Sequence, residues 1–399
     1  MVRTRRAHQL HMQITRWLPN EVLIRIIRDA EMADQATLCR VSKLFHALSL
    51  PILYRTVVLR LDDGGLSAFC SSLVENPERA DAIRSFTIKK AKDSSSGSAI
   101  RFSTMNKAYH PDASFSPDYR TLGAAMKLMT NLERLLVLFD DGCSSIPHPR
   151  AVAQKQPTPL SVERRRLNSS MDAMAPILAE LTCPRLTACV LMLSKTYGGD
   201  DWLEQFLMTH GSKLTAISLA LWVELSPPVP SVSQLRFFHG DADLLPRLGG
   251  SNLEGARLLY TKASEQKFND ISLFLKSSSS PTHPLVVSNE YLYLSNYPQQ
   301  LDHSLKGLSI HVPHIVSLEL RPNEFTAIEI SRVLQYLPRF IQLQYVALHL
   351  PQICREDEDD DDDDDGDELE LSTETLDAWA IACPTLKACS LCSFLEKSA

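Results

Sequence analysis

A chain of 399 residues with 44% hydrophobic content can bury a sizeable core, in one long domain or two to three compact ones. Its formal net charge of −7 is unevenly spread: Glu356 to Glu370 holds 13 acidic residues and no Lys or Arg, while the remainder is mildly basic and lacks the dense basic stripe of a nucleic-acid binder. No apolar run reaches the roughly 18 residues of a membrane span and no secretory signal is visible, so a cytoplasmic or nuclear protein is expected.

Residues 1–16 carry arginines and no acid, and read as a flexible basic leader. Leu18-Pro19 follows, with Asn20 as a helix N-cap and Glu21 at the positive end of the helix. Val22, Leu23, Ile24, Ile26 and Ile27 then cover an arc of about 200° at 100° per residue, wider than the stripe of an ordinary surface helix. One core cannot cover that arc, so a second apolar surface should meet it. A further helical pattern runs through Ala36, Leu38, Val41, Leu44, Phe45 and Leu48, and Pro51 is expected to end it. A turn at residues 52–55 leads into a β-branched run at Thr56-Val57-Val58. Three short helices in about 40 residues form too small a body to stand alone, which suggests a docking module or a helical cap.

The stretch from Trp17 to about Val58 resembles an F-box. The resemblance rests on Leu18-Pro19-x-Glu21-Val22-Leu23, Ile26-Ile27, Leu38, Val41-Ser42-Lys43-x-Phe45, Leu48 and Pro51-x-Leu53-Tyr54-Arg55. Members of that family often have Cys at the place of Ser42 and Trp at those of Phe45 and Tyr54. The resemblance implies docking to the Skp-type adaptor of a cullin–RING ubiquitin ligase. The docking residues would be Leu18, Pro19, Val22, Leu23, Ile26, Ile27, Val41, Phe45 and Leu48. Some of these must fill the module's own core, and the sequence does not say which.

Beyond residue 60 one short pattern returns: leucine, two residues, apolar, one residue, apolar. Copies begin at Asn131, Arg185, Lys213, Asn252, His314, Gln342 and Thr385, with a weaker one at Gln234 and two earlier candidates at residues 55–61 and 83–89. Helical stretches lie between many of them, at 122–129, 171–181, 201–210, 268–276, 324–336 and 373–382. A short strand cannot bury one apolar face alone, but parallel strands returned by helices build a continuous core. The pattern resembles leucine-rich repeats, irregularly spaced. That family usually has Asn or Cys at the ninth position, where Asn323 is the match here. The fold class expected is thus α/β: a three-helix F-box over 17–60, then an irregular leucine-rich-repeat-like solenoid of parallel strands and helices over 61–399. An α/β domain of unrelated parallel strands is the alternative.

Ser- and Pro-rich insertions near 92–117, 140–168 and 277–284, and the acidic run within 355–371, read as surface loops or disordered linkers. The acidic run is an inert solvated loop or a tether for a basic partner; it lacks the order of a calcium loop. Nine cysteines at irregular spacing read as small hydrophobes, and the pair Cys389/Cys392 has no second pair at zinc spacing. There is no phosphate-binding glycine loop, nucleophile elbow or zincin motif. His311 and His314 frame a turn before a strand. No cofactor, metal, catalytic residue, nucleic acid or membrane partner is expected.

The function these readings imply is that of a non-catalytic adaptor, the substrate-recognition subunit of a Skp–cullin–F-box type ligase, with an unidentified protein as substrate. Residues alternating with the core positions would form the concave face that holds it: Phe237, His239, Asp241, Arg257, Glu319, Arg321, Tyr345 and His349. A repeat scaffold for protein–protein interaction with no ligase role is the alternative.

Overall fold

The computed structural model describes residues 18–60, 65–89, 119–138, 174–192, 201–219, 231–260, 265–279, 284–291, 297–321, 327–350 and 373–393. The basic leader, most of the three long insertions, the acidic run, Asn323, Cys143 and Cys354 lie outside them. The chain divides into two compact units, Met1–Phe206 and Leu207–Ala399.

The first unit opens with helices Asn20–Asp29, Met32–Leu38 and Lys43–Leu53. The pattern from Ala36 to Leu48 is two helices rather than one. Ser42 separates them: its side chain accepts the Phe45 N–H at 3.3 Å and caps the third helix. Pro51 does not end that helix, which runs on to Leu53. Proline removes only the bond to the Ala47 carbonyl, and Ala47 is exposed, where water can serve that carbonyl. Asn20 is the first helical residue rather than the cap, a place taken by Pro19.

Four parallel strands follow in chain order: β1 (Thr56–Arg60), β2 (Ser85–Lys89), β3 (Arg134–Leu138) and β4 (Ala188–Met192). Helices Gly65–Glu75, Pro77–Ala82 and Tyr119–Leu128 and a helical segment at 174–179 connect them. The second unit continues the plan with β5 (Ala216–Leu219), β6 (Phe237–Asp241), β7 (Gly255–Tyr260), β8 (Leu285–Tyr291), β9 (Ile315–Arg321), β10 (Tyr345–Leu350) and β11 (Ala388–Ser393). Each pairs in parallel with the next. The α/β class and the parallel, in-order strands match the repeat expectation, and all ten sequence copies are strands.

The eleventh, β8, escapes the pattern for a local reason. A register shift between Leu285 and Val286 brings Val287, not the residue after it, opposite Leu318. The second apolar slot of β8 holds Asn289, fully buried opposite Leu258 and Leu320, its Nδ2 donating to Ser304 Oγ at 2.9 Å. The serine run also differs from expectation. Ser277 and Ser278 end helix Glu265–Ser278, Ser278 is buried, and Ser279 bridges to Leu253. Among these insertion residues, 280–283 lie outside the described set.

Among the described residues, backbone bonds tie successive repeats together. A turn precedes several strands, as in Leu132 N–H to Met129 O at 3.1 Å, Leu186 to Cys183 at 3.1 Å and Leu386 to Cys383 at 3.0 Å. One carbonyl then receives two N–H groups of the next repeat. Arg84 O takes Glu133 and Arg134, Glu133 O takes Thr187 and Ala188, and Gln344 O takes Lys387 and Ala388, all within 3.1 Å. Two cysteines add side-chain bonds: Cys183 Sγ donates to Met129 O at 3.6 Å and Cys383 Sγ to Leu343 O at 3.7 Å. Both act as buried small residues with a weak donor, consistent with their reading as hydrophobes.

Candidate functional site

Two surfaces stand out, one in each unit. The first is on helix Asn20–Asp29. At about 100° per residue its apolar arc splits into three strips. Leu23 and Ile27 form the middle strip, 2% and 0% exposed, and close the module's own core. Val22 and Ile26 form the strip on one side and are 41% and 52% exposed. Ile24 and Arg28 form the strip on the other side. Of the nine residues implied by the F-box resemblance, Leu23 and Ile27 are therefore core. Pro19, Val22, Ile26 and Val41 are exposed, and Leu18, Phe45 and Leu48 are half-buried. Met32, 65% exposed at the start of the second helix, adds an apolar side chain that the sequence pattern hid, because that helix was merged with the third.

The second surface is the face of β5–β11 that alternates with the core. Core positions meet the helices, as when the Tyr260 ring lies 4.8 Å from that of Phe268. The alternate residues fall into rows across the strands. One row is Phe237, Gly255, Val286, Ser317 and Tyr345; the next is His239, Arg257, Ser288, Glu319 and Ala347. Asp241 and Arg321 belong to a third row, where His349, following the Leu348–Leu320 pair, stands beside Arg321. All eight residues expected on this face are on it. Phe237, Val286 and Tyr345 are exposed large apolar side chains, and Val286 belongs with the two aromatics although the missed strand concealed it. Gly255 has a reason to be glycine: a Cβ there would come 3.0 Å from Phe237 Cδ1, so its absence lets the ring lie across the neighbouring strand.

Three of the eight form a cluster. Glu319 Oε1 accepts Arg321 Nε at 3.0 Å and Nη2 at 2.6 Å, and His349 Nε2 meets the same oxygen. Partial burial pushes the Glu319 carboxyl up, but the Arg321 guanidinium outweighs it and holds the carboxyl below its ordinary value. Burial and then the Arg321 charge lower His349 below the usual imidazole value, against the pull of Glu319. Arg257, in the row of Glu319, adds its charge to the lowering of His349. His239 Nδ1 is 2.8 Å from Ser218 Oγ. Asp241 caps its own turn by accepting the Asp243 N–H at 2.9 Å, and burial raises its carboxyl. His314 is in the turn before β9, 2.9 Å from Ser279 Oγ, and His311 ends the preceding helix.

This arrangement is a surface of mixed character, with an apolar row beside an ionic cluster. Among the described residues no group of three His, Cys, Asp or Glu side chains could hold a metal, and no helix is long and apolar enough to cross a membrane.

A scan of protein-family models finds no match to this chain, and a search of curated proteins finds none either. Among solved structures, the chain is similar to the crystal structure of the leucine-rich repeat-containing protein LegL7 from Legionella pneumophila. Identity is 15% over 85% of this chain and 91% of that one, with a TM-score of 0.44.

Proposed function

We propose that this chain is the substrate-recognition subunit of a Skp–cullin–F-box type ubiquitin ligase, cytoplasmic or nuclear, and itself non-catalytic. One observation carries the reading: in the stretch that resembles an F-box, Val22 and Ile26 are exposed although Leu23 and Ile27 already complete the local core. Exposed apolar side chains in a row mark an interaction site more readily than a solvated surface. They would hold the Skp-type adaptor, and through it the cullin–RING ligase. The face carrying Phe237, Tyr345 and the Glu319–Arg321–His349 cluster would hold the target protein, so that this chain supplies proximity and other subunits supply the chemistry.

Co-expression with the Skp-type adaptor, followed by gel filtration, tests this. A stoichiometric complex lost in Val22→Asp/Ile26→Asp is the expected result. No complex, with a soluble monomeric chain, would leave the repeat-scaffold reading, in which the three helices cap the strand stack. The packing of helix Lys43–Leu53 near helix Pro77–Ala82 favours that second reading.

A further inference from the structure

The third strip of helix Asn20–Asp29 faces a groove of about 480 Å³ between the N-terminal helices and the first repeat. Ile24, Leu48 and Ile52 contribute its apolar floor, and Arg28, Arg55 and Arg84 are its charged residues. No Asp or Glu lines it. Arg84 is partly engaged: it donates to Asn131 O at 3.1 Å and has Glu133 at 3.9 Å. Arg28 and Arg55 are exposed, and among the described residues neither has a carboxylate partner. Pro51 also lines the groove, and with no N–H it leaves the Ala47 carbonyl, from a second lining residue, without its usual helical donor.

We infer that this groove binds an acidic apolar peptide segment of a partner protein. The floor would take one or two large apolar side chains, and flanking carboxylates would meet Arg28 and Arg55 as charge-assisted pairs. The Ala47 carbonyl would accept a main-chain N–H, which a free anion lacks. Charge complementarity selects this occupant: a neutral apolar segment would leave the Arg28 and Arg55 guanidinium groups beside it unpaired, and a basic one would be repelled. The groove lies on the opposite flank of the helix from Val22 and Ile26, so it is separate from that exposed strip, although its lining includes Leu48, one of the nine residues that the F-box resemblance implies.

The test uses the full chain and fluorescein-labelled short peptides made of leucine and glutamate, leucine and lysine, or serine and glutamate. The leucine–glutamate peptide should bind saturably, and more weakly as salt is raised. Arg28→Glu/Arg55→Glu should weaken it by about tenfold or more. Ala47→Trp, which fills the groove while keeping every charge, should weaken it as well. Circular dichroism checks that both variants fold. Equal binding of the serine–glutamate peptide, displacement by inorganic phosphate alone, or unchanged binding to both variants would overturn the inference. So would a dimer of the full chain that either variant converts to monomer, since the occupant would then be a second copy. Adaptor co-purification is scored separately on Val22→Asp/Ile26→Asp, so each reading fails on its own variant.

Discussion

Ile26 and Ile27 are neighbours in sequence and should behave oppositely when truncated. Ile27 is fully buried, and replacement by alanine removes three carbon groups from the core. At about 0.8 kcal/mol per buried group the transfer loss is about 2.4 kcal/mol, and the residual cavity brings the cost to about 3–4 kcal/mol. Ile26 is 52% exposed, so about half of that transfer loss applies, near 1 kcal/mol, and the better helix propensity of alanine returns about 0.4 kcal/mol. Ile27→Ala should therefore lower a urea midpoint by about 1 M, and Ile26→Ala by a few tenths at most. Hydrogen exchange of peptides from residues 20–53 reads the same difference locally. Equal destabilisation by the two substitutions would refute the assignment of the strips, and with it the claim that Ile26 is free to meet a partner.

Three further outcomes follow from the second surface and the core. The pKa of His349 is lowered in the folded chain, so the unfolded state takes up its proton first as pH falls. Its contribution is complete above the ordinary imidazole value of about 6.5 and is lost as pH falls below it. His349→Gln should flatten that segment of the stability profile, and identical slopes in the two proteins would count against the cluster. Burial pushes the Cys183 thiol up to about 12, and raises Cys189 with the neighbouring Cys183 adding to the effect. Mass-spectrometric mapping after brief native alkylation should find both unmodified and both labelled once the chain is unfolded. At Gly240 an added Cβ would lie 2.5 Å from the Leu219 carbonyl oxygen, so Gly240→Ala should destabilise by about 1–3 kcal/mol in thermal unfolding, and a neutral result would mean β5 and β6 can move apart.

The strand–helix plan was legible because burial repeats where the backbone repeats. Phe86, Leu135 and Cys189 occupy equivalent core positions, as do Ile217, Phe238 and Leu318, and the alternation that marks them also assigns the eight residues of the outer face. What the letters hid was local geometry. β8 was lost because one register shift and one buried asparagine break a pattern that counts residues and apolarity. The helix over Met32–Leu38 was merged with the next because none of its residues is buried, so the apolar period does not mark the break before Ser42. The wide arc on the first helix was visible, yet only packing separates Leu23 and Ile27 from Val22 and Ile26, since all four are apolar and lie on neighbouring strips.

The bonds that join successive repeats explain why the outer face can carry function. Register is set by the turns: Arg84 O, Glu133 O and Gln344 O each accept two N–H groups of the following repeat, and none of these bonds depends on a side chain. The core rows need only apolar volume, which Leu, Phe, Ile and Cys all supply. Residues on the outer face thus set neither register nor core volume. They range from Ala216 and Ala388 at the edges of the first row to Phe237, Val286 and Tyr345 between them. Three large apolar side chains are held about 10 Å apart on alternate strands. The Phe237 ring lies over Gly255, and the small Ser317 leaves a shallow gap between Val286 and Tyr345, on the side of the Glu319–Arg321–His349 cluster. A target would be selected by what it inserts there. Filling the gap with Ser317→Leu should change binding of a target while leaving the strand register, and hence the fold, intact.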